Sequence, residues 1–339
     1  MIDRGGPNGL VIVDGREVCR WGDAERREMT FSIAKSALAS VAGVAFDDGL
    51  LPDLDEAVVA RVPLVAFGGA IPGGVPDDAT LARDITWRQL LTQTSDWRGT
   101  LFDIPWWADP QGEQSRDDPP TIPGARFAYN DVRVNLCCLA LTHLLGTSLE
   151  VALRRVLSPI GVPHGWEWRG LHQMHTVLAD GSRLPVVTAS GHWGAGLWLS
   201  TCDLARFGLL HLRRGAWRGT RVLSERWCRM MLAPTAAAPA YGLMWWRNPA
   251  AGDASADPPH GVLAGAGEQY PGSGVLGFAA HGTGEQIVWC DPDRDLVAVV
   301  RWCADPIPVI AAITAAITVA GTTDRHDRQT ETGEPWTPS

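Results

Sequence analysis

Apolar and polar residues alternate along positions 9–21, and Asp14-Gly15, a dipeptide that favours a type I′ turn, interrupts the alternation. The pattern predicts a hairpin in which residues 10–13 pair with 17–21. Beyond it the period lengthens. Between positions 31 and 48, Ala34, Leu38, Val41, Ala42 and Ala45 recur at three- and four-residue steps, and Gly49 and Pro52 end the run, which predicts a helix with Ser32 in its first turn. Further helices are expected over 86–92, 130–145, 200–213 and 224–232, the third opened by the capping candidates Ser200 and Thr201. Alternation returns where 286–290 and 296–302 flank Asp291-Pro292-Asp293-Arg294, a turn with proline in its second position. Residues 309–320 are apolar, rich in Ala and Thr, and read as a helix packed on a core.

Sheet-forming pieces at both ends enclose a helical middle, so the expected class is α+β. An α/β sandwich lobe, its antiparallel sheet flanked by helices, is expected from residues 1–76 and 240–321, with a mainly helical lobe over 77–239. Clustered Gly, Pro and Asp at 68–80 mark the crossing, and 322–339, without periodicity, are expected to be a disordered tail.

Composition narrows the function classes. With 45% hydrophobic residues in 339, the chain can bury a large core. A net charge of -9 repels polyanions and anionic lipid, which argues against nucleic acid as a partner. The seven Cys are scattered and form neither a disulfide framework nor a zinc pattern, which fits a reducing compartment. No apolar run reads as a signal peptide or reaches the ~18 residues of a membrane span, so a cytoplasmic location with no membrane partner is expected. The 16 Trp read mainly as core and interface residues, a minority as pocket lining. Asp23 to Glu28 read as a solvated charged turn. His172 and His175 lack the carboxylate partners of a metal site, and no metal or cofactor is expected.

Chemistry enters at Ser32-Ile33-Ala34-Lys35. A serine hydroxyl is a weak nucleophile and needs a proton partner; at a spacing of three on a helix, hydroxyl and amine project from one face. A capping Ser with a solvated Lys is the common alternative. Here the pair opens an Ala-rich helix and is flanked by Phe31 and Ile33, so the Lys is expected on a buried face, where a reason for it is required.

Several segments, taken in order, resemble the class C β-lactamases, the related DD-peptidases and esterases, and the nylon-oligomer hydrolases that share their fold. Met29-Thr30-Phe31-Ser32-Ile33-Ala34-Lys35-Ser36 is similar to the family's first motif, and residues 84–95 resemble the segment that follows. Pro123-Gly124-Ala125-Arg126-Phe127-Ala128-Tyr129-Asn130-Asp131 is similar to the second motif, in which a Tyr precedes an Asn by two positions. The resemblance covers nearly all of 9–320 and implies a β-lactamase/transpeptidase-like fold with Ser32, Lys35 and Tyr129 as catalytic groups. One departure stands out: Asp131 occupies the family's Asn position. Its carboxylate would hold Lys35 charged and make it an electrostatic aid rather than a base. Asn130 is the other candidate for the amide, although one residue on a helix turns a side chain by about 100°.

The third motif, Lys-Thr-Gly in the best-known members, has no Lys copy; its counterpart is His281-Gly282-Thr283-Gly284. His281 is then a polar group facing substrate or a satisfied core histidine, and the glycines let backbone approach a developing oxyanion, with the Ser32 N–H as second donor. The resemblance therefore implies a serine hydrolase that forms an acyl-enzyme on Ser32, an esterase or amidase acting on a small ester, amide or peptide. An acyl-trapping binding or sensor module, as in penicillin-binding proteins, and an inactive scaffold are the alternatives.

Overall fold

The computed structural model describes residues 4–62, 85–112, 114–191, 195–248, 270 and 274–323. The expected crossing at 68–80 and all but two residues of the expected tail lie outside these segments.

Six antiparallel strands form the main sheet: β1 (Asn8–Val13), β2 (Arg16–Trp21), β3 (Trp246–Arg247), β4 (Phe278–Gly282), β5 (Gln286–Asp291) and β6 (Leu296–Arg301). Their order is β3-β4-β5-β6-β1-β2, so the amino-terminal hairpin docks on β6 through Asn8↔Arg301 to Val13↔Leu296. Asp14 and Gly15 have φ of 52° and 73°, the two left-handed positions that a type I′ turn requires. Strict alternation sends Leu10, Ile12, Val288, Cys290, Val297 and Val299 to one face of the sheet, and Val11, Ile287, Trp289, Ala298 and Val300 to the other.

Helices cover both faces. α1 (Ile33–Asp47), α2 (Trp87–Leu91), α3 (Asp131–Leu145), α4 (Leu149–Leu157), α5 (Thr201–Leu212) and α6 (Glu225–Met231) share the larger core, and α7 (Pro306–Thr323) packs on the opposite face through Ile310. Five of the expected helices are present within two residues at each end, four of them begun by capping residues: Thr86 and Ser200 close capping boxes, and Asn130 and Ser224 cap with their side chains; the helix expected over 309–320 extends three residues further at each end. α4, the short strand Glu167–Arg169 and strand β4 were not anticipated from the sequence. α7 runs through Thr323, two residues into the segment expected to be tail. Glu28 is a correction as well: it is 2% exposed and accepts hydrogen bonds from Asn8 Nδ2 (3.2 Å) and Trp302 Nε1 (2.8 Å), so the charged run ends in the interior.

His211 pins α5 to α1. Its Nδ1 is bonded to Phe207 O (2.8 Å) and its Nε2 to Ser40 Oγ (3.0 Å). Burial lowers its pKa from 6.5 to about 4. The unfolded chain takes up this proton near pH 6.5 and the folded one only near 4, so stability falls as pH drops through that window, by on the order of 3 kcal/mol. Thermal midpoints between pH 7 and pH 4 should therefore decline, and less steeply in His211→Gln; an equal slope in the variant would remove His211 as a source.

Candidate active site

The turn into α1 is built to present Ser32. The chain leaves the short strand Glu28–Met29, reverses at Phe31 with φ 50°, a left-handed value uncommon for a bulky residue, and enters the helix at Ile33. Ser32 precedes the helix in a right-handed conformation, and its hydroxyl makes no capping bond. The hydroxyl instead accepts from Lys35 Nζ at 2.9 Å. A buried polar web fixes the approach strand. Arg301, 0% exposed, donates from Nη2 to Met29 O (3.0 Å) and from Nε to Gln286 Oε1 (2.6 Å), while Gln286 Nε2 donates to the same Met29 carbonyl (3.1 Å).

Lys35 is 2% exposed; its ammonium donates to Ser32 Oγ and to Ala189 O (3.2 Å) and forms an ion pair with Asp131 Oδ1 at 2.5 Å. Its ammonium also lies 4.6 Å from the centre of the Tyr129 ring. Burial alone would lower the Lys35 pKa, but Asp131 and then Tyr129 outweigh it and leave the amine above its usual value. Lys35 is thus an ammonium at neutral pH. Of the 29 lysine and arginine residues it is the only lysine in the chain, a signal readable from the sequence alone. The arginine side chain keeps its proton at all accessible pH and cannot relay one.

Asp131 opens α3 and is fully buried. Its backbone N–H donates to Asp109 Oδ2 at 2.5 Å, bringing a second carboxylate to the same helix end. The Asp109 pKa is raised, first by burial and then by the charge of Asp131. Tyr129 is hydrogen-bonded to both Lys35 and Ser32; burial raises its pKa, with Lys35 acting against the rise, so the phenol is protonated. Gln93 holds this segment: at φ 56° it accepts from the Asn130 N–H (2.9 Å), donates to Tyr241 Oη (2.9 Å), and its carbonyl takes the Ala128 N–H (2.9 Å).

The structure brings Ser32, Lys35, Tyr129 and Asp131 together. Asn130 is directed elsewhere: its Oδ1 caps Arg133 N (2.9 Å) and its Nδ2 donates to Trp106 O (2.8 Å), so its amide is occupied by the helix start. His281 and Gly282 end β4, and the motif runs on through the turn into β5 at Gln286. His281 Nε2 is hydrogen-bonded to Tyr270 Oη, and burial lowers its pKa to about 3. Gly282 has a packing reason: a Cβ there would come within 2.3 Å of Thr30 O, two residues before Ser32. Gly284 turns the hairpin at φ 83°, and Thr283 Oγ1 accepts from Gln111 Nε2 (3.2 Å). Asp109, Tyr241, Trp246 and Tyr270 had no motif to mark them, and Gln93 lay within the family-like segment 84–95 without being singled out; each reaches the site through a fold contact distant in sequence.

A direct consequence concerns Lys35. With a single lysine, one side-chain resonance of lysine-labelled protein reports its protonation. In the parent it should not titrate below pH 10; in Asp131→Asn, with burial no longer opposed by that carboxylate, the midpoint should move down. An unmoved titration would deny Asp131 its hold on the ammonium.

Among the described residues no group of His, Cys, Asp or Glu is arranged to hold a metal ion; His175 Nδ1 instead meets Arg183 Nη2 at 2.9 Å. No single described helix is long and apolar enough to cross a membrane.

No curated protein matches the sequence at a significant level. Solved structures do. The chain is similar to a β-lactamase from Mycobacterium bovis, with 19% identity, 92% of this chain and 95% of that one covered, and a TM-score of 0.58. It is also similar to a D-stereospecific amidohydrolase from a Streptomyces species, with 18% identity, 92% and 94% covered, and a TM-score of 0.59. A penicillin-binding protein from Bacillus halodurans gives 18% identity, 92% and 95% covered, and a TM-score of 0.57. These likenesses establish the β-lactamase/transpeptidase-like fold. The model of the β-lactamase family matches residues 6–308, and the chain therefore belongs to that family, whose members are in general hydrolases.

Proposed function

We propose that this protein is a serine hydrolase that forms an acyl-enzyme on Ser32 and acts on a small ester, amide or peptide. One observation carries the reading: Lys35 Nζ stands 2.9 Å from Ser32 Oγ and 2.5 Å from Asp131 Oδ1. An ammonium buried at such a cost, on the only lysine of the chain, has its explanation at the neighbouring hydroxyl. In this reading Ser32 Oγ attacks the carbonyl carbon. Lys35 gives a proton to Tyr129 as it takes the one from Ser32, and Tyr129 gives its own to the leaving oxygen or nitrogen. Lys35 is then an ammonium at both ends of the step, and Asp131 stays ionised to hold it. The Ser32 N–H lies ahead of the first helical donors, Ile33, Ala34 and Lys35, where a helix start leaves a donor for the oxyanion. Water then releases the acyl group.

The test is turnover of a p-nitrophenyl acyl ester and of the matching p-nitroanilide, followed for a burst. A burst of one equivalent followed by steady release supports the hydrolase. One equivalent without further release converts the reading to an acyl-trapping protein, and no release at all opposes both.

A further inference from the structure

Asp109 is buried beside the reactive groups, yet the acylation step described above gives it no part. It follows the short turn Trp106–Ala108 and offers both carboxylate oxygens to the backbone, Oδ2 accepting from the Asp131 N–H (2.5 Å) and Oδ1 from the Gln111 N–H (3.0 Å). The first of these bonds belongs to α3. Asn130 caps the Arg133 N–H from within the helix and Asp109 caps the Asp131 N–H from outside it, so together they fix where the helix begins and where the Asp131 side chain leaves it.

The segment that carries Asp109 is held on both sides. Arg133, itself buried, donates to Trp97 O (2.7 Å), Gln114 Oε1 (2.6 Å) and Asp96 Oδ1 (3.0 Å), and its guanidinium lies 5.0 Å from the centre of the Trp106 ring. The Trp106 carbonyl in turn accepts from Asn130 Nδ2 (2.8 Å). The Gly112 N–H donates back to Asp109 O (3.1 Å), and a Cβ on Gly112 would come within 3.3 Å of the Asp109 Cβ. Little room is left for the carboxylate to turn away from α3.

A cap needs only an acceptor, and serine or asparagine serves about as well as aspartate. The α3 start favours an anion, and Asp131 already supplies one. A second carboxylate is set against the first, a repulsion that an uncharged cap would avoid. Burial and then Asp131 raise the Asp109 pKa, while its two N–H bonds and then the Lys35 ammonium draw it down, so its charge answers to both members of the ion pair. The Arg133 guanidinium, from α3, feels the same charge.

We infer that Asp109 is a positioning residue and the second counter-ion of Lys35: it fixes the α3 start so that Asp131 meets the ammonium, and it carries the negative charge for Lys35 when Asp131 is uncharged. The consequence for the rate rests on the acyl-enzyme reading above; the counter-ion role does not. With Asp131 neutral, the repulsion that opposed ionisation of Asp109 is gone, and the ammonium keeps a carboxylate partner.

The single lysine makes the test direct. In lysine-labelled protein, the titration midpoint of Lys35 in Asp131→Asn is compared with that in Asp131→Asn/Asp109→Asn. The double variant should titrate roughly one pH unit or more lower, a shift that loss of a merely structural cap would not produce, since asparagine still offers an acceptor. Should the double variant not fold, Asp109→Ser, a second uncharged capping residue, takes its place in the same background and should shift the midpoint in the same direction. Coincident midpoints overturn the counter-ion role. Turnover of p-nitrophenyl acetate gives the second readout. If Lys35 acts as an ammonium, the rate is lost as pH rises through its midpoint, so the descending limb of kcat against pH should move down by the same interval in the double variant, with KM within about threefold. A Lys35 midpoint that moves while that limb does not would leave the counter-ion role standing and overturn the part given to Lys35 in the acyl-enzyme reading.

Discussion

Ser32→Ala is expected to abolish covalent labelling by a fluorophosphonate and to lower kcat for an activated ester by on the order of 10⁴-fold or more, while the fold stays intact. The two halves of this expectation have different causes. The rate falls because no other hydroxyl shares the position: Ser36, one turn on, is buried and donates to Met244 O at 2.8 Å. The fold persists because the Ser32 hydroxyl makes no capping bond, so its loss removes a single acceptor from Lys35, which keeps Asp131 and Ala189 O. A change in stability within about 1 kcal/mol is expected. Full labelling of the variant would mean that the nucleophile has been misassigned.

Lys35→Met carries the second large effect, and it separates chemistry from stability. Methionine fills the same buried volume but leaves the Asp131 carboxylate, fully buried, without its ammonium. Breaking one side of a buried pair costs about 3–5 kcal/mol. The acylation rate should fall about 10²–10⁴-fold, with substrate binding much less affected, since the lysine moves protons and offsets charge rather than gripping substrate. In the double variant Lys35→Met/Asp131→Asn most of the lost stability should return, because the orphaned charge is gone, while the rate should not. Urea unfolding and single-turnover acylation measure the two quantities on the same samples. Recovery of rate along with stability would mean that Lys35 acts only by holding the fold.

The sequence carried much of the frame and the reactive pair, for physical reasons that differ by element. The Asp14-Gly15 hairpin and the helices were readable because local signals decide them: a dipeptide that tolerates two left-handed residues, and Thr86, Ser200 and Ser224 in capping positions. β4 was missed because Phe278, Ala279, Ala280, His281 and Gly282 have no alternation to betray a strand whose two faces are both covered. The Ser32–Lys35 pair was visible because helical spacing joins residues three apart. Asp109 and Tyr270 were not, since each meets the site through a contact from another segment, a backbone N–H or a ring stack, and no periodicity encodes that. At Asp131 the departure from the family pattern raised the right question, and only the 2.5 Å ion pair with Lys35 answered it.

The acyl-enzyme on Ser32 is the centre of this account, and a chemical quench during turnover tests it most directly. A p-nitrophenyl ester is mixed with the protein, the reaction is stopped with acid within the burst, and the digested chain is mapped by mass. The account predicts one acyl increment on the peptide spanning residues 28–35, in which Ser32 is the only serine, formed at the rate of the burst. Steady turnover with no acylated peptide, or an acyl group found on another segment while residues 28–35 stay unmodified, would contradict it.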